Sequence, residues 1–192
     1  FFVALVTLWA AVATASADEA FPRPAALEPD VQFWTRVYTE VGTDGGLLHD
    51  TRDLGVVYEV VRLPADARSG RALERYTERK KQRIREILRG LAQGQRTQLS
   101  DEESSVLALF PAGVRNETLK EAAANVRFQL GQADKFRAGL IRSGAYVDHI
   151  RETLHEMGLP EQIAALPHVE SSFTPHAWSH VGAAGLWQFM PS

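Results

Sequence analysis

The sequence predicts a mainly α-helical protein with one small β element. Apolar residues recur at helical spacing along one stripe between residues 71 and 91, and shorter stretches with the same period lie before and after it. By contrast, only the run 56–61 is dense in β-branched side chains. With 192 residues, 45% apolar and 23% charged, the chain can bury a real core. Its net charge of −3 gives no reason to expect a polyanion-binding protein. The absence of cysteine excludes disulfides, thiolate metal sites and a cysteine nucleophile.

Residues 1–15 carry no charge and are mostly apolar; they run into Ala15-Ser16-Ala17 and then Asp18-Glu19. Small residues at that point suit signal peptidase, and the run is short of the ~20 apolar residues a bilayer span needs. A cleaved secretion signal over 1–17 is therefore expected in preference to a membrane anchor. The mature protein is expected to be exported to the periplasm or cell envelope, with no cysteine for a lipid anchor. The chain begins without Met and stops just after a dense motif, so it reads as a fragment of a longer product.

Next comes a proline-spaced linker from Phe21 to Pro29. Asp30 is placed to cap a helix with Phe33, Trp34, Val37, Tyr38 and Val41 on its apolar face. Asp44-Gly45-Gly46 signals a turn, and Leu47-Leu48-His49 is a candidate hairpin partner for 56–61. The long helix over 71–91 places Leu73, Tyr76, Ile84, Ile87, Leu88 and Leu91 on one stripe, interrupted only by Lys80. Its arginine-rich remainder lacks aromatic interleaving or a reading motif, so it is expected to be a solvated face and not a nucleic-acid surface. Ser100-Asp101-Glu102-Glu103 reads as a capping box opening a short helix that Pro111 stops. A further helix is expected over 116–130. Two more, broken near Ser143-Gly144, should turn Phe136, Leu140 and Ile141, then Tyr146, Ile150 and Leu154, inward.

The last segment is the densest in chemical signal. Glu170 ends a short apolar helix and is followed by Ser171, Ser172 and Phe173. A carboxyl there, beside Phe173 and Trp178, is placed to lose water. Desolvation disfavours the anion and raises the pKa, as a general acid near neutral pH requires. On these grounds alone, an ordinary helix-end carboxylate is an equal reading.

Glu170-Ser171, followed by Gly185-Leu186-Trp187-Gln188, resembles the first two signature motifs of the soluble-lytic-transglycosylase and goose-type-lysozyme catalytic domain. The fuller strings Leu-Pro-His-Val-Glu-Ser-Ser-Phe and Ala-Ala-Gly-Leu-Trp-Gln-Phe-Met-Pro are similar in particular to the membrane-bound lytic murein transglycosylase D family. The helix with Phe33-Trp34, the 53–59 region and Arg127 to Gln132 also look like the segment that precedes the catalytic domain there.

The resemblance implies a helical N-terminal region with a small β element over 18–130, followed by the start of a lysozyme-like α-helical domain over 131–192. It implies Glu170 as catalytic acid and then base at the N-acetylmuramic acid to N-acetylglucosamine bond of peptidoglycan strands, giving 1,6-anhydro ends. Ser171 would orient Glu170 or contact the sugar. Gln188 would bind the N-acetyl group or backbone near the cleavage point, and Gly185 would permit close approach. No cofactor, metal or nucleic-acid partner is implied.

Trp187 stands where many soluble relatives carry Met, as in the D-type subgroup. The family's Ala-Tyr-Asn motif lies further along than Ser192, so residues 18–192 alone are expected to be a poor catalyst or none. A goose-lysozyme-type hydrolase, or a non-catalytic wall-binding or scaffold protein, are the alternatives. His168, His176 and His180 lie near Glu170, but their spacing makes no His-Glu-x-x-His helix, so a zinc site is not expected.

Overall fold

A computed structural model describes residues 20–190. The expected secretion signal over 1–17, like Pro191, lies outside the described residues. The remainder is mainly helical around a small sheet, as the periodicity predicts.

Helix α1 (Glu28–Thr39) starts two residues before Asp30, because Pro29 fits the first turn without losing a needed N–H donor. Asp30 therefore lies inside that turn beside Glu28, favoured by the helix dipole, and does not cap it. The chain then forms β1 (Gly45–Asp50) and, antiparallel to it, β2 (Val57–Arg62). Gly45 and Gly46, expected in a turn, instead open the strand.

The helix expected over 116–130 ends early. It runs as α4 (Asn116–Asn125), and Val126–Leu130 is a third strand, β3, on the other edge of β1. The order is β2-β1-β3. Val126, Phe128 and Leu130 alternate with Arg127 and Gln129, the period of a strand with one apolar face. Pairing with β1 supplies backbone partners that a helix continued to 130 would forgo. Gly46 sits opposite this strand, where a Cβ would meet the Phe128 ring and lie 2.5 Å from the Gln129 carbonyl oxygen.

Every residue of β1 is buried because helices cover both faces of the sheet. Leu48 and Val61 join the main core with α2 (Gly70–Ala92), α3 (Asp101–Ala108) and α4. On the other face, Leu47 packs with Phe33 and Val37 of α1. The long helix buries Ile84, Ile87, Leu88 and Leu91 as its stripe requires.

Lys80, the expected polar break in the stripe, reaches β2 and donates to Glu59 at 2.6 Å. That bond, stronger than the opposing burial, pushes the Lys80 amine up. Thr77 on the same helix is also buried, its hydroxyl donating to Leu73 O. Three of the other cations of α2 are paired: Lys81 and Arg85 with Glu78, and Arg83 with Glu102 of α3. The capping box at Ser100 and Glu103 forms in both directions.

Beyond β3, Gly131 donates to Gly45, Gln132 to Val37 and Ala133 to Val41. This binds α5 (Ala133–Ser143) to α1 and to the start of the sheet. Asp134 accepts from both the backbone and the hydroxyl of Thr43, and its carboxyl is held below the usual range by these bonds against the cost of burial.

The inward face of α5 differs from expectation. Ala133, Gly139 and Ser143 are buried, whereas Leu140 is exposed and Ile141 is 79% exposed. Small residues face inward because α5 lies close against the backbone of the turn after Glu170. In α6 (Val147–Glu156) Leu154 is buried as expected, but Tyr146 just before it is exposed. A 3₁₀ turn, Glu161–Ala165, leads into α7 (Leu166–Glu170). Among the described residues no helix is long and apolar enough to cross a membrane.

Candidate functional site

Glu170 closes α7, a helix of little more than one turn that begins with Pro167 near its N-terminus. The chain then does something costly: Ser172 and Phe173 both take left-handed backbone, with φ of 50° and 52°. Three contacts hold this double reversal. Phe173 N–H donates to Pro167 O at 2.9 Å, and the Phe173 ring is fully buried, 4.4 Å from the ring of His168. From α5, Arg142 Nε and Nη2 donate to Ser172 O at 3.1 and 2.6 Å, with Nε also 3.3 Å from Phe173 O. Gly139 completes the seat, since a Cβ there would lie 3.0 Å from Ser172 O.

Arg142 and Gly139 thus fix where Glu170 ends up, and the sequence reading missed both. Neither carries a motif, and their role exists only once α5 is docked. Arg142→Ala is expected to cost about 1.5–3 kcal/mol, the range for hydrogen bonds to a charged group. Urea unfolding checks this; an unchanged midpoint and slope would show that the latch contributes nothing.

Ser171 ties the two halves of the site together. Its hydroxyl donates to Leu186 O at 2.9 Å and accepts from Thr174 N–H at 3.2 Å. In the second half, Trp178, Ala184 and Phe189 form a short ladder of isolated bridges. Gly185 has φ +78°, which favours glycine, and donates to Ala177 O at 2.9 Å. Gln188, itself at φ 49°, turns its amide nitrogen onto Gly185 O at 2.9 Å and Ala177 O at 3.2 Å. Glu170, Ser171, Gly185 and Gln188 therefore belong to one hydrogen-bonded unit or its immediate flank. Trp187 and Phe189 stack in parallel, 6.4 Å apart and 9° from coplanar, with Phe189 exposed.

One expectation is corrected here. Glu170 is exposed, so the dry setting foreseen from Phe173 and Trp178 does not form among the described residues. The Phe173 ring turns inward onto His168, and Trp178 is 73% exposed. The inward positions of α7 are Pro167 and His168, which leaves Val169 and Glu170 outside.

Tyr38 of α1 comes within electrostatic reach of Glu170. Its phenol is raised first by burial and then by the Glu170 charge. No local pattern links two residues so far apart in sequence.

His168 packs between Phe136, 5.4 Å away, and Phe173, and its Nδ1 is buried with no hydrogen-bond partner among the described residues. His176 and His180 are exposed. A hollow of about 320 Å³ next to His168 is bounded by Arg151, Glu161 and Gln162 and does not include Glu170.

Burial lowers the His168 pKa from the ordinary 6.5. The unfolded chain therefore takes up a proton near pH 6.5 that the folded chain refuses. This contribution to stability is complete above that pH and is lost as pH falls toward the lowered folded value. His168→Phe, which removes the unpartnered nitrogen, is expected to flatten the loss of stability between about pH 7 and 5. His49, lowered by burial in the same way, keeps part of the slope. Denaturant midpoints across that range test this; an identical slope in the variant contradicts it.

Comparison with known proteins bears on the same segment. Residues 149–192 match the family model for the transglycosylase SLT domain. Membrane-bound lytic murein transglycosylase D of Escherichia coli K12 is 40% identical over 52 residues, 27% of this chain and 12% of that protein. The protein of the same name from E. coli O6:H1 matches equally. A putative tributyltin chloride resistance protein of Alteromonas sp. strain M-1 is 37% identical over 51 residues, 27% of this chain and 25% of that one. The matches thus span only a small part of the relatives' length. No solved structure matches. The segment that holds Glu170, Ser171, Gly185 and Gln188 is a match to the transglycosylase SLT domain.

Proposed function

We propose that the protein acts as a lytic transglycosylase on peptidoglycan in the cell envelope, with Glu170 as its acid and base. The observation that carries this is the SLT match over the hydrogen-bonded unit that presents Glu170 at the end of α7. Glu170 would protonate the oxygen between N-acetylmuramic acid and N-acetylglucosamine as the bond from C1 to that oxygen breaks. The carboxylate so formed would take the proton of the muramoyl C6 hydroxyl while that oxygen attacks C1. No water is consumed, and a 1,6-anhydro end results. A single carboxylate serves because the nucleophile belongs to the substrate, unlike the two-carboxylate scheme of most glycosidases.

In this reading Ser171 positions Glu170 by joining α7 to the Leu186 backbone, Gly185 leaves room for a sugar, and Gln188 braces the backbone near the cleavage point through Gly185 O and Ala177 O. The chain divides after Leu130 into an N-terminal region and the start of the catalytic domain, and residues 18–192 alone turn over little or nothing. The exposed position of Glu170 accords with a carboxyl that is desolvated only when a glycan strand lies over it.

Mass spectrometry of muropeptides released from purified peptidoglycan by the full-length protein tests the reaction. Fragments lighter by one water than hydrolysis products are expected. Full-mass reducing ends would make the protein a lysozyme-type hydrolase, and no release at all would leave a binding or scaffold role.

A further inference from the structure

Outside the segment matched to the SLT domain, α1 carries two neighbouring aromatic rings, of which Tyr38 comes within reach of the Glu170 charge. Trp34 and Tyr38 stand one helical turn apart, with ring centres 6.0 Å apart and planes inclined by 30°. Phe33 and Val37 on the same helix are committed to the core, so helical spacing turns Trp34 and Tyr38 to a neighbouring face. Trp34 packs edge to face against Phe33 at 5.4 Å and still keeps 41% of its surface open. Tyr38 rests on Phe136 at 5.5 Å, and Phe136 rests on His168 at 5.4 Å, two residues before Glu170. The rings thus form a continuous row from the open indole to the helix that carries the acid. The Glu170 charge is felt at the Tyr38 phenol, which agrees with this row ending beside the carboxylate.

The half-open indole, in a row of rings that leads toward a candidate glycan-cleaving acid, suits the C–H face of a pyranose ring, which is apolar, while the sugar's hydroxyls stay in water. We propose that Trp34 and Tyr38 form a saccharide platform that the N-terminal helix lends to the Glu170 site, its ligand the pyranose rings of a β-1,4-linked amino-sugar strand. The inference rests on the glycan-strand reading above. The platform holds sugars away from the bond that breaks, so it acts on binding more than on chemistry.

The test uses the full-length protein in a Glu170→Gln background and measures co-sedimentation with purified peptidoglycan. Trp34→Ala is expected to weaken retention by about fivefold, and Tyr38→Ala by a similar amount. In the protein with Glu170 intact, the loss from Trp34→Ala should fall on KM more than on kcat. Trp34→Leu keeps apolar bulk on α1 and decides the matter should the alanine variant melt early: weakened retention in a folded leucine variant supports the platform. Retention equal to that of the parent in both Trp34 variants overturns it. If Glu170→Gln alone still releases muropeptides, the assignment of the acid fails, whatever the Trp34 variants do.

Discussion

Replacing Glu170 with Gln in the full-length protein should cut muropeptide release by about 10³–10⁴-fold, the upper range for loss of a general acid–base group. The substitution keeps the size of the side chain and removes only the transferable proton. Because Glu170 is exposed and its side chain has no hydrogen-bond or ion-pair partner among the described residues, the fold should be indifferent to it. Circular dichroism and melting temperature should match the parent while turnover disappears. Retained turnover would show that another group supplies the proton, and would remove Glu170 from the centre of the mechanism. A large fall in melting temperature would instead make Glu170 a structural residue of α7.

The second large effect is on stability. Gly131→Ala places a methyl group against the carbonyl oxygens of Val41 and Gly42, both of them backbone atoms with no freedom to move aside. The same few residues carry the bonds from Gly131 to Gly45, Gln132 to Val37 and Ala133 to Val41. Relief of the clash therefore strains the junction of α1, β1 and α5 together. A loss of about 3 kcal/mol is expected, at the top of the usual range for overpacking. For a protein of this size that lowers Tm by roughly 6–12 °C. A Tm within ~2 °C of the parent would show that the junction yields cheaply, since that corresponds to only ~1 kcal/mol or less.

The elements whose reason is local were legible in the sequence, and those made by distant partners were not. The stripe of α2 and the capping box of α3 are written into neighbouring residues, and both formed as expected. β3 was read as helix because its identity depends on β1, which offers it an open edge from far upstream. Leu140 and Ile141 were turned inward on the rule that large apolar residues seek the core. Close approach of α5 to the turn at Ser172 required a small residue, Gly139, on that face instead.

At the site, the residue types around Glu170 and Gln188 drew attention by motif. The supports were invisible: Arg142 acts across thirty positions, and Tyr38 reaches Glu170 from the opposite part of the chain. The dry setting expected for Glu170 failed for a related reason. Which way a helix-end residue faces is set by the helix packed beneath it, and α7 spends its inward positions on Pro167 and His168.

The place of β1 in the sheet governs how the chain can acquire its structure. The strand lies between a partner that follows it closely and one far downstream, with Leu48 opposite Glu59 on one side and Phe128 on the other. A polypeptide emerges N-terminus first, so the β1–β2 hairpin exists for a long interval with one edge bare, and a lone hairpin is marginal in water. The central strand gains its second set of hydrogen bonds only after α2, α3 and α4 have been made and have folded back, at the entropic cost of closing that long loop. Assembly of the N-terminal half is thereby tied to the arrival of residues 126–130. Those residues lead directly into the junction that carries α5 and, through it, the turn behind Glu170.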